Sequence, residues 1–207
     1  MITAADIKDI IDHHYENCLE PLDEISKNTA NNKSIIYSKT KFYNYDRIGE
    51  FVFKGKDKPK TPDMIFFKND TVYFVEFKSG TIEGIKKKCE ARGINDECQY
   101  VKWDIKLKAL EGAFIVLHQL VIKHKGKIDF SHIFNLSKAY ILVYKSNDQK
   151  GREKSKNKII ANHISNLPIK FGLHTFKNTF FRQVATYTPE FFISQMQKFK
   201  LIHEPEQ

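Results

Sequence analysis

Apolar positions along this chain recur with two periods, and the changes from one to the other mark its elements. Ile7, Ile10, Ile11, His14 and Cys18 repeat at helical spacing behind Thr3, which with Asp6 resembles a capping box. The pattern predicts a first helix from about residue 4 to about residue 19, ended before Pro21. The polar stretch "SKNTANNKS" (26–34) reads as a loop. Three runs follow, "RIGEFVFKG" (47–55), "PDMIFFK" (62–68) and "TVYFVEFKS" (71–79), and together they read as a β-rich block. Asn69-Asp70 lies between the last two, where a hairpin turn fits.

From Gln99 the helical period returns. Trp103, Leu107, Leu110, Phe114, Leu117 and Val121 fall at four-three-four spacing and predict one apolar stripe. Gly112 weakens that helix, and the part beyond it is also readable as a strand. "KAYILVYKS" (138–146) is a short continuous apolar run, as expected of a central buried strand. Residues 146–158, "SNDQKGREKSKNK", carry charge and glycine with no apolar residue, the composition of a mobile loop. Further strand material (171–187) precedes a last helix with Thr188 as N-cap and Pro189 at its first position. No internal repeat is visible. The sum is one α/β (α+β) domain over 1–207, a mixed central sheet flanked by helices. Its core reaches about residue 145, and a strand-and-helix extension covers about 159–203.

Composition narrows the class without naming a function. At 41% hydrophobic and 29% charged residues, the chain reads as soluble and globular. The N-terminus is acidic and amphipathic, unlike a secretory signal, and the longest apolar runs are too short to span a bilayer. A cytoplasmic location with no membrane partner is the expectation. Cys18, Cys89 and Cys98 lack zinc-knuckle spacing and read as free thiols. The net charge of +9 favours a polyanionic partner, for which nucleic acid is the commonest candidate.

Candidate chemistry sits in the hairpin. The tripeptide D/E-x-K occurs four times, at Asp6, Glu76, Asp104 and Asp148, so alone it means little. Only Glu76-Phe77-Lys78 ends a strand, and only it has Pro62-Asp63 one hairpin upstream. In a strand Val72, Phe74, Glu76 and Lys78 share a face. Folding across Asn69-Asp70 brings Asp63 opposite the 76–77 end. Two carboxylates converging there make an oxygen-rich site suited to Mg²⁺ or Mn²⁺.

Pro62-Asp63 followed by Glu76-Phe77-Lys78 resembles the PD-(D/E)xK signature of restriction-endonuclease-like nucleases. The order of elements is similar to about residue 145. The resemblance implies a restriction-endonuclease-like core and a metal-dependent phosphodiesterase, either endonuclease or exonuclease, acting on DNA in preference to RNA. It implies that Asp63, Glu76 and the main-chain carbonyl of Phe77 bind Mg²⁺ or Mn²⁺ and that Lys78 positions or activates water. Many such nucleases add an acidic residue, for which Glu16, Glu20, Glu24 and Glu50 are the candidates. Gln99 matches the start of a supporting Gln-x-x-x-Tyr pattern found in one branch, with Trp103 in the tyrosine position. Lys86, Lys87, Lys88, Lys102 and Lys106 are the candidate nucleic-acid contacts, and a homodimer would suit double-strand cutting. The alternative is a catalytically inactive nucleic-acid-binding or protein-interaction module retaining the same fold.

Overall fold

The computed structural model describes residues 1–28, 32–54, 57–80, 97–146, 169 and 171–202. The chain opens with α1 (Ala4–His14), β1 (Leu19–Pro21), α2 (Leu22–Ile25), β2 (Lys27–Asn28), β3 (Lys33–Ser34), β4 (Lys41–Asn44) and α3 (Tyr45–Val52). The hairpin β5 (Met64–Lys68) and β6 (Thr71–Gly80) follows. Then α4 (Glu97–Leu110), a π-helical stretch (Glu111–Val116) and α5 (Leu117–Lys125) run on as one long helix. The chain continues with α6 (Phe130–Phe134), β7 (Lys138–Ser146), β8 (Gln183–Tyr187) and α7 (Pro189–Lys198).

Six strands form one mixed sheet in the order β1-β4-β5-β6-β7-β8. Pairing is antiparallel from β1 to β6, and parallel from β6 through β7 to β8. Both faces are covered. Ile65, Val72, Phe74, Tyr140 and Leu142 pack with α1, α3 and the long helix. Met64, Phe66, Val75, Phe77, Ile141 and Val143 pack with α2 and α7. Strict alternation along β5, β6 and β7 therefore feeds two cores. The chain is mixed α/β, and among the described residues no helix is long and apolar enough to cross a membrane.

Several elements differ from the sequence expectation. The first helix stops at His14, and a 3₁₀ turn (Glu16–Cys18) leads into β1. "RIGEFVFKG", read as β-rich, begins inside α3: the Asn44 side chain accepts from the Arg47 amide, and Tyr45, Ile48 and Gly49 are buried at helical spacing. In the long helix Phe114, Leu117 and Val121 of the expected stripe are buried, but the stripe is shifted before the π-helical stretch. Ile105, Ala109 and Ala113 are buried, whereas Leu107 is exposed, because the small alanines let the helix lie close to the sheet. The helix continues past Gly112, where a methyl group would come within 2.4 Å of Pro62 Cδ. Cys18 is a free, buried thiol. Residues 147–158, Lys86–Lys88 and Cys89 lie outside the described residues, as do the side chains of Cys98, Gln99, Lys102 and Trp103.

Candidate functional site

The turn at Asn69-Asp70 sets the register that builds the site. Asn69 adopts φ 51°, a left-handed conformation that asparagine tolerates. Pairs then run from Lys68 with Thr71 to Met64 with Val75. Asp63 precedes the last pair, while β6 continues to Gly80 with β7 alongside. By alternation Asp63 shares the face of Ile65, Phe74 and Glu76, toward the long helix. Where β5 ends, the Phe77 amide donates to Asp63 Oδ2 at 2.7 Å. The N–H and C=O of one residue leave a strand by the same edge, so the Phe77 carbonyl also faces the Asp63 side.

The long helix adds charge from above. Lys108 donates to Glu76 Oε1 at 2.9 Å and Oε2 at 3.0 Å, and its Nζ lies 3.5 Å from Asp63 Oδ1. One ammonium thus sits between two carboxylates. Lys78 Nζ stands 3.1 Å from Glu76 Oε1 and 3.8 Å from Asp104 Oδ2, and Lys60 donates to Asp104 on its other oxygen. The Pro62–Gly112 contact fixes how closely this helix approaches, and the Tyr45 hydroxyl donates to the Gly112 carbonyl at 2.7 Å. Glu76 is fully buried, while Asp63, Lys78 and Lys108 are partly exposed. All four line a cleft of about 480 Å³ whose other wall includes Lys27 and Asn28 of β2.

Crowding of like charge in a low-dielectric pocket shifts these groups. Burial and then the Asp63 charge push the Glu76 carboxyl up to about 7, against the pull of Lys108 and Lys78. Burial also raises Asp63, although Lys108 and the Phe77 amide oppose it. Burial would depress Lys108, yet Glu76 and Asp63 outweigh it and hold the ammonium above its usual range. Asp46 and Asp104 shift the other way: despite burial, Lys58 and Thr61 lower the first, and Lys60 and Lys78 lower the second.

The fold brings Asp63, Glu76, Phe77 and Lys78 together at this cleft. It does not bring the four acidic candidates there. Glu20 is held by Arg47 and Asn44, Glu24 pairs with Lys27, Glu50 is exposed 3.8 Å from Lys58, and Glu16 is exposed on the 3₁₀ turn. The further carboxylate lining the cleft is Asp46, in the first turn of α3. Lys106 lies with its ammonium 5.6 Å from the Phe176 ring centroid, outside the cleft lining. Sequence reasoning missed Asp46, Asp104 and Lys108. The last two stand four apart on a helix, a spacing that puts them on one face, and that was the available signal.

Among the described residues, no three His, Cys, Asp or Glu side chains cluster so as to hold a metal ion. The donor set on offer is instead two carboxylates and one main-chain carbonyl. Hard oxygen donors of that number suit Mg²⁺ or Mn²⁺ with water in the remaining positions. The position of Lys108 Nζ shows that a single cation can contact both carboxylates. Compared with known protein families, curated proteins and solved structures, the chain matches none.

Proposed function

We propose that this chain is a divalent-metal-dependent nuclease of the PD-(D/E)xK type, hydrolysing phosphodiester bonds of nucleic acid, with DNA favoured over RNA. The observation that carries the reading is the convergence of Asp63 and Glu76 on one cation position, with Lys78 beside them. The order α1, antiparallel β4–β5–β6, long helix, then β7 parallel to β6 supports a restriction-endonuclease-like core. The net charge of +9 supports a polyanionic substrate.

Mg²⁺ or Mn²⁺, when bound, supplies Lewis acidity and an activated water. Asp63, Glu76 and the Phe77 carbonyl would hold it. The Phe77 amide orients Asp63, leaving Oδ1 directed at the cleft. Glu76 and Asp104 hold the Lys78 ammonium between them, where it meets a phosphate oxygen or orients the attacking water. Burial and the Asp63 charge push the Glu76 carboxyl up to about 7, so rising pH favours the carboxylate that a metal needs.

A second reading has its own observation. Lys108 already contacts both carboxylates, as it would in an inactive binding module that keeps the hairpin for structure. Incubating the protein with single- and double-stranded DNA and RNA, with Mg²⁺, Mn²⁺ or a chelator, separates the two. The nuclease reading expects metal-dependent cutting that falls by about a thousandfold or more in Asp63→Ala and Glu76→Ala, and by less in Lys78→Ala. Cutting that survives all three changes removes this site. Salt-sensitive binding without cutting supports the inactive module.

A further inference from the structure

The most unusual group at the cleft is Lys108. It comes from an element that no hairpin reading includes, and it makes contacts to both carboxylates that a metal would make. Its ammonium is not a surface charge folding back by chance. The stem leaves α4 between the buried Ile105 and Ala109, and the helix is pinned to the hairpin by Gly112 against Pro62. Glu76 is fully buried, and an uncompensated carboxylate there would be costly.

We propose that Lys108 is a resident counter-ion, which assembles the Asp63–Glu76 pair in the metal-free protein and must leave when a divalent cation enters. This inference rests on the metal-binding reading of the same two carboxylates. Two like charges in one pocket repel, and Lys108 holds them in place in advance of the metal. The same contacts make Lys108 a competitor, because an ammonium and a divalent ion cannot occupy one position. Lys78 is not equivalent. It reaches Glu76 from the side and divides its charge with Asp104, so it stays when Lys108 is displaced. The consequence is a weak intrinsic metal affinity, set by an exchange of one cation for another rather than by filling an open site.

The sign of one substitution tests this. Lys108→Met keeps the apolar stem and removes the competing charge. Mn²⁺ titrated calorimetrically at pH 8 should bind this variant about tenfold to a hundredfold tighter than the wild type, the range expected on removing a charge-assisted hydrogen bond. A merely structural lysine gives the opposite sign, because loosening the site weakens the metal. Lys108→Arg keeps the charge and should stay at or below the wild-type affinity. Equal or weaker binding by Lys108→Met, with measurable binding by wild type, overturns the counter-ion role and leaves the metal reading intact. No Mn²⁺ binding by any protein, Lys108→Met included, overturns both.

A measurement on the wild type alone covers the case in which Lys108→Met fails to fold. Amine-reactive labelling followed by mass spectrometry should modify Lys108 several-fold faster in saturating Mn²⁺ than in chelator. Lys138, fully buried on backbone carbonyls, should stay unmodified in both and serves as the internal control. Lys108 labelling that is unchanged or slower under saturating Mn²⁺ overturns the displacement.

Discussion

Two lysines with their ammonium groups inside the protein, Lys138 and Lys108, solve the same problem in opposite ways. Lys138 opens β7 at 1% exposure and donates to the carbonyls of Ile133 at 2.6 Å, Phe134 at 2.8 Å and Leu136 at 3.0 Å. The Ile133 and Phe134 carbonyls end α6 and that of Leu136 lies two residues beyond it, so the lysine caps a helix C-terminus. The Phe114 ring lies under it at 4.7 Å. Among the described residues no carboxylate is part of this arrangement, and burial pulls its pKa down to about 8. Lys108 instead faces two carboxylates across a cleft, and they raise its pKa in spite of burial. A charge fixed by dipoles in a closed core builds structure. A charge fixed by ionised side chains beside a cleft holds a site that other cations and anions can enter.

The largest expected effect breaks the first half of that contrast. Lys138→Met removes the charge-assisted bonds to the Ile133, Phe134 and Leu136 carbonyls and should lower stability by about 3 kcal/mol in urea unfolding. Gly112→Ala comes next: the added methyl meets Pro62 and should cost about 1–3 kcal/mol, through overpacking between helix and hairpin. Because Pro62 precedes Asp63, this change should also weaken Mn²⁺ binding, which links the packing contact to the site. Lys108→Met should cost less, about 1–2 kcal/mol, since Lys78 still pairs with Glu76 and the cleft admits water. Equal losses for Lys138→Met and Lys108→Met would erase the distinction drawn above.

Smaller effects sharpen it. The Glu76 carboxyl is raised in the folded protein to about 7 from an ordinary 4.5, so the folded state holds its proton more tightly than the unfolded chain. Its contribution is present at low pH and lost as pH rises through about 7. Glu76→Gln should therefore gain stability relative to wild type between pH 5 and pH 8, read by unfolding at each pH. A difference that stays flat would mean that Lys108 and Lys78 fully compensate the buried charge. At the far end, the exposed Lys8–Asp12 pair on α1 has neither burial nor a cleft. Lys8→Ala should change stability by no more than about 0.5 kcal/mol.

How much of this was legible in the chain follows from where each residue comes from. The hairpin was readable because Asn69-Asp70 and strict alternation fix a register locally, and register decides that Asp63 and Glu76 share a face. The Thr3 and Thr188 caps were readable for the same reason, since a side chain bonding an amide three residues on is a local event. Asp46, Asp104 and Lys108 were not, because distant elements deliver them. Asp46 depends on α3 forming where aromatic and β-branched residues suggested a strand, and the Asn44 cap with burial at helical spacing decided otherwise. Lys108 lies in the stretch read as helix, and its place depends on how that helix packs on the hairpin at Gly112. Glycine disfavours helix in isolation, but here its missing side chain is the space Pro62 fills.

The central claim is that Asp63 and Glu76 share one divalent cation, and diffraction from a crystal soaked in Mn²⁺ tests it most directly. The expected result is an anomalous peak about 2.0–2.6 Å from oxygens of both carboxylates and from the Phe77 carbonyl, with Lys108 Nζ moved away from the pair. Saturating Mn²⁺ that leaves no peak there, with the Lys108 ammonium still between Glu76 and Asp63, would contradict it.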